Sequence, residues 1–205
     1  MAKHELIFDE ATHTYTMGGV KLPSVTTAMK PLYDFSCVDP DVLRRAGEFG
    51  TAVHKCIELY IYDDLDEADL DPALVGPLAA FKQWQNDYPQ FHDLQKLCVE
   101  RRMAHKKLLF AGTADLILDG VAIVDFKTRP VNLLTDAIQL AAYEALWKEE
   151  GGSRIKEYER RVLELRQDGT YVYSKVNHRD AWARFRYLLD YYNATLKIQS
   201  WRMNK

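Results

Sequence analysis

The stretch GTADLILDGVAIVDFKT, residues 112–128, constrains this chain more than any other. Two apolar, β-branched runs flank an Asp-Gly pair, the pattern of adjacent strands joined by a turn. Yet the runs contain Asp115, Asp125 and Lys127. A charge buried without a partner is costly, or its pKa shifts until it is neutral. A bound divalent cation is the simplest way to keep two carboxylates ionised side by side. A lysine beside it can orient or deprotonate a water, or steady a developing oxyanion. For Asp125 and Lys127 alone, a half-exposed structural ion pair fits equally well.

The turn decides whether the acids cooperate. Side chains alternate along a strand, so Asp125 and Lys127 share a face and Phe126 takes the other. A two-residue turn pairs Leu118 with Val121 and Asp115 with Val124, leaving the acids on opposite faces. A three-residue loop over Leu118-Asp119-Gly120, with Gly120 left-handed, pairs Ile117 with Val121 and Asp115 with Ile123. Asp125 is then a diagonal neighbour of Asp115 on one face. The sequence reading expects this bulged form.

The rest of the chain reads as one α/β domain over residues 1–205, long enough to bury its own core. Residues 5–22 alternate around Gly18-Gly19 and suggest a hairpin. Pro23-Ser24 opens a short helix from Val25 to Met29. There Ser24 or Thr26 is either a cap or a phosphate ligand through the first-turn amides. Helical spacing runs from Asp41 to Tyr62, placing His54 and Glu58 on one face, and again from Pro72 to about Tyr88. Strands follow in LQKLCVERRM, LLFAGTADLIL and VAIVDFKT. Residues 136–149 form a helix that puts Gln139 and Tyr143 on one face, RVLELRQDGTYVYSKV is a hairpin, and Arg179 to about Trp201 is a long amphipathic helix. Taken alone, Gln139 and Tyr143 fit an ordinary amphipathic helix.

Composition narrows the function classes. Cys37, Cys56 and Cys98 are odd in number and lack CxxC spacing, which argues against disulfides, a zinc knuckle or an iron–sulfur cluster and for reduced cytoplasmic thiols. No apolar run suits a membrane span, the first residues are too polar for a signal peptide, and no GxxxxGK[ST] loop occurs. The net charge of −3 disguises segregation. An acidic run from Asp63 to Asp71 reads as a solvated loop, while basic clusters at Arg44-Arg45, Arg101-Arg102 and Lys127 with Arg129 could form a basic face.

The ordered set GEFGTAVH with His54, an upstream acid at Glu100, GTAD with Asp115, DFK with Asp125 and Lys127, and QLAAY with Gln139 and Tyr143 resembles the PD-(D/E)xK nuclease superfamily. It is most similar to the RecB-like branch that includes phage and prophage alkaline exonucleases. The resemblance spans most of the chain. It implies a restriction-endonuclease-like core, a central mixed β-sheet flanked by helices, and an Mg²⁺-dependent nuclease in which Mn²⁺ can substitute. Asp115, Asp125, the Phe126 carbonyl and His54 would ligate metal, with a plain helix-face histidine as the alternative for His54. Glu100 would act through water on a second metal or simply face solvent. Lys127 would activate the attacking water, better as pH rises if it is neutral. Gln139 would hold the lysine or the scissile phosphate, and Tyr143 would contact DNA. Ser24, Thr26, Arg44 and Arg45 would form a pocket for a 5′ phosphate.

The same resemblance implies 5′→3′ digestion of linear duplex to mononucleotides, leaving 3′ overhangs for recombination and repair. It implies a homotrimeric ring, a single-strand annealing protein as partner, and the cytoplasm of a phage's bacterial host. Two other readings remain open: an endonuclease or junction resolvase on the same core, and a DNA-end-binding protein without activity. Asp125 stands where glutamate is common in the superfamily, so the shorter arm must bring its strand nearer the cation.

Overall fold

A computed structural model describes residues 5–93, 97–154 and 157–203, with side chains described as far as residue 196. Among the described residues eight strands and five α-helices follow one another along the chain. A three-stranded antiparallel sheet comes first, β1 (Leu6–Asp9), β2 (Thr14–Met17) and β3 (Val20–Leu22). Met17 pairs with Val20 across Gly18 and Gly19, whose φ values of +58° and +78° suit a tight two-residue turn. The hairpin expected within 5–22 is therefore a meander with one strand more.

Helix α1 (Val25–Ala28) begins at Ser24, whose hydroxyl accepts the Thr27 amide at 3.0 Å, so Ser24 and not Thr26 is the cap. Helices α2 (Pro40–Ile61) and α3 (Pro72–Asp87) start alike: Asp39 and Asp71 accept the second amide, and proline fills the first position, where its missing N–H costs nothing. The acidic run between them is mostly exposed, as expected.

The main sheet is mixed, in the order β4 (Leu97–His105), β5 (Phe110–Leu118), β6 (Ala122–Lys127), β7 (Glu159–Leu165) and β8 (Tyr171–Lys175). Helix α4 (Thr135–Glu149) links β6 to the parallel β7, and α5 (Ala181–Met203) closes the chain. The expected start of β4 at residues 94–96 lies outside the described residues, as does the side chain of Trp201. The chain is thus α/β, with a five-stranded mixed sheet flanked by helices, compatible with a restriction-endonuclease-like core. Among the described residues no helix is long and apolar enough to cross a membrane.

Alternation sorts the sheet's side chains onto two cores. Ile117, Ile123 and Val162 face α1, α4 and α5 and join Ile138, Tyr143 and Phe185. Leu116, Val124, Phe126 and Leu163 face α2 and α3 and join Val53, Ile57, Phe81 and Trp84. Both faces are covered, which is why β5 and β6, apart from Thr113, Asp115, Asp125 and Lys127, are apolar rather than alternating. Asp115 and Asp125 belong by alternation to the α4 face.

The β5–β6 turn departs from expectation in register but not in parity. Leu118 pairs with Ala122 and Ile117 with Ile123, so the loop is Asp119-Gly120-Val121, not Leu118-Asp119-Gly120. Val121 N donates to Leu118 O at 3.0 Å, and Gly120, third in that turn, has φ +68°. A positive φ at the third turn residue selects glycine. The loop is still odd in length, so the acids stay on one face. The register shift brings them closer: extended by one step, it sets Asp115 directly opposite Asp125 rather than opposite Ile123.

Candidate metal centre

Three acids lie in one row across three strands. The β4–β5 register, Val99 with Leu116 and Arg101 with Ala114, sets Glu100 opposite Asp115, and the β5–β6 register sets Asp125 on its other side. Regular pairing is interrupted at Asp115 on both sides. On one, Glu100 has φ +45°, a left-handed backbone inside a strand. Glutamate in that region carries on the order of 1–3 kcal/mol of strain. On the other, the Phe126 amide donates to Asp115 Oδ2 at 2.6 Å instead of to a backbone carbonyl. The side chain has taken a ladder position.

His54 reaches the row from α2. Its Nε2 is 3.1 Å from the Phe126 carbonyl, and its Nδ1 is 3.4 Å from Glu100 Oε1 and 3.5 Å from Asp115 Oδ1. Three oxygens that could ligate a cation therefore surround one imidazole. Burial pushes the ring's pKa down, but the Asp115 charge and Glu100 outweigh it and raise it to about 9. At neutral pH the ring is an imidazolium, the cation of the metal-free site.

Asp125 is 1% exposed and held on both oxygens. Gln139 Nε2 donates to Oδ1 at 3.0 Å, and Lys127 Nζ lies 2.5 Å from Oδ2. The ammonium approaches Oδ2 at a poor angle, so that oxygen is paired in charge but lacks a directed hydrogen bond. Burial lifts the carboxyl to about 6, with Lys127 opposing and Asp115 reinforcing the shift. Asp115 is raised too, chiefly by burial, with His54 opposing. Burial lowers the Lys127 pKa, but Asp125 and Asp115 outweigh it and the net shift is upward. Lys127 is therefore a charged donor without metal, which favours orienting a water or steadying an oxyanion, among the roles open from the sequence, over deprotonating the water.

The donor set fits a hard divalent cation. Glu100 Oε1 and Asp125 Oδ2 are buried without hydrogen bonds, and both residues line one cavity. Ligand atoms of His54, Glu100 and Asp115 all lie within 4.8 Å of one another. Oxygen donors with one imidazole suit Mg²⁺ or Mn²⁺ better than softer metals. Asp125, turned toward Lys127 and Gln139, sits beside this cluster rather than in it.

The cavity measures about 250 Å³. Three other hollows are larger: those of about 520 and 540 Å³ gather no acids around a lysine, and one of about 280 Å³ adjoins this cavity, sharing His13, His54 and Glu100 with it. The wall of the acidic cavity includes Ser24 and Thr26, and also His13, Tyr15 and Thr113. The N-terminal sheet supplies these last contacts: Tyr15 OH meets Thr113 Oγ1 at 2.7 Å, and Ser24 bridges Ala111 of β5. Nothing local in the sequence marks His13 or Tyr15 as site residues. Gly112 was the readable sign, because a Cβ there would sit 2.9 Å from Tyr143 and 3.0 Å from Val25.

Three assignments change. Arg44 and Arg45 lie exposed on the first turns of α2 and do not line the cavity; Arg44 is engaged by Glu48 at 2.9 Å and Asp41 at 3.5 Å. Tyr143 is 5% exposed and its hydroxyl accepts from Gln139 at 2.9 Å, so it braces the amide at the cavity's back wall instead of offering a free surface to DNA. Gln139 holds Asp125, not the lysine. One supporting pair escaped the sequence reading altogether. Asp136, fully buried, takes Arg129 on both oxygens, at 2.5 and 3.2 Å, and the Asn132 amide at 2.8 Å, pinning the loop that follows Lys127.

Neither the protein-family models nor the curated proteins searched contain a match to this chain.

Proposed function

We propose that the chain is a divalent-metal-dependent deoxyribonuclease of the PD-(D/E)xK kind, acting as an exonuclease on linear duplex DNA. The row Glu100–Asp115–Asp125 with Lys127 at its end and an imidazolium among its oxygens carries the reading. A fold gains nothing from setting three acids together with two of them, Asp115 and Asp125, buried, and a charged substrate-and-metal site explains the cost. His54, Glu100, Asp115 and the Phe126 carbonyl would hold Mg²⁺, with Asp125 adjoining. When bound, the ion supplies Lewis-acid polarisation of a phosphate oxygen and lowers the pKa of a ligated water.

The chain's own groups do the remaining work. The Lys127 ammonium orients the attacking water or a nonbridging phosphate oxygen, where charge builds as the P–O bond forms. Gln139 fixes the Asp125 carboxylate, and Tyr143 fixes Gln139 in turn. Thr26, in the cavity wall, would donate to a neighbouring phosphate, while Ser24, whose hydroxyl donates to Thr27 Oγ1 at 2.9 Å, holds that turn in place. Attack by water oxygen on phosphorus breaks the P–O3′ bond. The product is a 5′-phosphorylated mononucleotide, and the departing 3′ oxygen takes its proton from solvent. Direction 5′→3′, a trimeric ring and an annealing protein as partner complete the proposal. A ring would let a net-acidic protein track DNA through basic residues on one face.

The test is digestion of 5′-phosphorylated linear duplex with Mg²⁺, beside covalently closed circles, for wild type and Lys127→Ala. The reading expects linear DNA to be degraded, circles to survive, and the variant to lose at least ~10²-fold in rate. Efficient cutting of circles would reject the exonuclease, and equal rates for the two proteins would reject the site.

A further inference from the structure

Strand β7 opens with Glu159-Arg160-Arg161, and Arg160 faces inward, level with the buried Ile123 of β6. Its residue is 7% exposed, at a position where a mixed sheet normally carries an apolar side chain. A guanidinium there needs a counter-charge and directed hydrogen bonds. Among the described residues, Glu144 of α4 supplies the charge, with Oε2 3.5 Å from Arg160 Nε. That contact makes no hydrogen bond, and Nε is buried without a partner. The other Glu144 oxygen is taken by Lys148 Nζ at 2.5 Å.

Arg160 also lines a hollow of about 220 Å³ between α4 and the start of α5. Lys148, Arg160 and Arg179 line it against the single carboxylate of Glu144, so positive charge is in surplus. The Arg179 side chain is 92% exposed and touches only its neighbour Asp180, at 3.5 Å, among the described acids, which leaves it able to fold over the opening. Trp182, in the first turn of α5, forms an apolar wall, and the positive end of that helix dipole adds to the field. Arg186 lies over the Trp182 ring, 5.9 Å from its centre, and its own Nε is likewise buried without a hydrogen bond.

We propose that this hollow binds a phosphate group, carried by inorganic phosphate or a phosphomonoester such as a mononucleotide. Arg160 Nε donates from the floor, Lys148 and Arg179 from the sides. Depth selects the form: a terminal phosphate can reach a guanidinium this buried, whereas a backbone diester, flanked by two sugars, is held at the rim. The site uses Ala141, Glu144, Ala145 and Lys148 of α4, whereas the acidic cavity uses Gln139 and Tyr143 of the same helix. It stands whether or not the protein is a nuclease.

Calorimetric titration of the full chain in EDTA, so that no metal recruits anions to the acidic cavity, tests this. The arms are inorganic phosphate, a deoxynucleoside 5′-monophosphate, and duplex DNA with hydroxyl ends. The expected result is saturable one-to-one binding of at least one small phosphate, weakened about tenfold by Arg179→Ala, the loss of one charge-assisted hydrogen bond. Arg160→Met, which replaces the cation by an apolar group of similar length, should abolish it. If Arg160→Met does not fold, Lys148→Ala takes its place beside the exposed Arg179→Ala. No saturable binding of either small anion overturns the proposal. So does affinity unchanged in the variants, or saturable binding by the hydroxyl-ended duplex alone.

Discussion

Raising the pH of the metal-free protein should weaken its fold, and His54 sets part of the amount. The ring titrates near 9 in the folded chain against an ordinary value of 6.5. A group raised in this way lends stability that is complete below the unfolded pKa and vanishes as pH climbs through the folded one. At ~1.4 kcal/mol per tenfold, the gap is worth about 3 kcal/mol. The side chain keeps 27% of its surface in solvent, so screening reduces this to about 2 kcal/mol. Asp125 acts in the same direction at lower pH: its carboxyl moves from 3.8 to about 6, and the associated stability is gone once pH has passed 6. Between pH 7 and 10 His54 then contributes, and Asp115, whose carboxyl burial also raises, adds in the same direction. For a chain of this length the melting temperature in EDTA should fall by roughly 4–8 °C across that interval.

A bound divalent ion replaces the imidazolium proton, so saturating Mg²⁺ should flatten the decline. Binding near pH 7.5 should release close to one proton, read by calorimetry in buffers of different ionisation enthalpy. Apparent metal affinity should then rise with pH until about 9, an origin for alkaline activity that does not require a neutral Lys127. Thermal melts in pH steps, with EDTA or Mg²⁺, for wild type and His54→Gln are the assay. An equal decline in both proteins, or none in the wild type, refutes the reasoning.

Three further substitutions probe the supports. At pH 10, where the His54 ring is neutral and its attraction to Glu100 is gone, Glu100→Gly relieves a backbone at φ +45° and should leave the metal-free fold unchanged or up to ~1 kcal/mol more stable by denaturant melts, while lowering Mg²⁺-dependent digestion at least tenfold; clear destabilisation at that pH would mean that the left-handed backbone is not strained. Gln139→Leu leaves Asp125 Oδ1 without its 3.0 Å donor, so the Asp125 carboxyl should titrate still higher and the acid limb of the pH–rate profile should shift upward; an unmoved limb would exclude Asp125 as the group behind it. Gly76→Ala would drive a Cβ into the Gln167 carbonyl oxygen, and the clash of α3 with the β7–β8 turn should destabilise by ~1–3 kcal/mol in urea while sparing activity per folded molecule; a variant as stable as wild type would mean that the two elements are not packed so closely.

Much of this architecture was legible because local chemistry and tertiary need agree. Asp39-Pro40 and Asp71-Pro72 start helices where the apolar period begins, and Gly18-Gly19, Asp119-Gly120 and Asp168-Gly169 turn the chain where strands end. The acids' shared face was readable from turn parity alone. Register was not, since Gly120 can serve as the third residue of a turn or the last of a loop and both lengths are odd.

What stayed hidden depends on neighbours distant in sequence. Glutamate gives no local hint of a positive φ, so the distortion at Glu100 appears only when β4 meets β5. The charge on Lys127 is set by Asp115 and Asp125 together, and the duty of Gln139 by the approach of α4 to β6. Arg44-Arg45 looked like a phosphate clamp because a basic pair is conspicuous in sequence, yet Glu48 and Asp41 lie within a turn of it. His13 and Tyr15 reach the cavity only because the first sheet packs over β5.

Crystals grown with Mn²⁺ and measured for anomalous scattering test the central claim most directly. The account predicts a peak bounded by Asp115, Glu100, His54 and the Phe126 carbonyl, at ligand distances of about 2.0–2.3 Å, with Asp125 alongside and the His54 ring deprotonated. Saturating Mn²⁺ with no peak among these groups, while His54 keeps its contacts to Glu100 and Asp115, would contradict it.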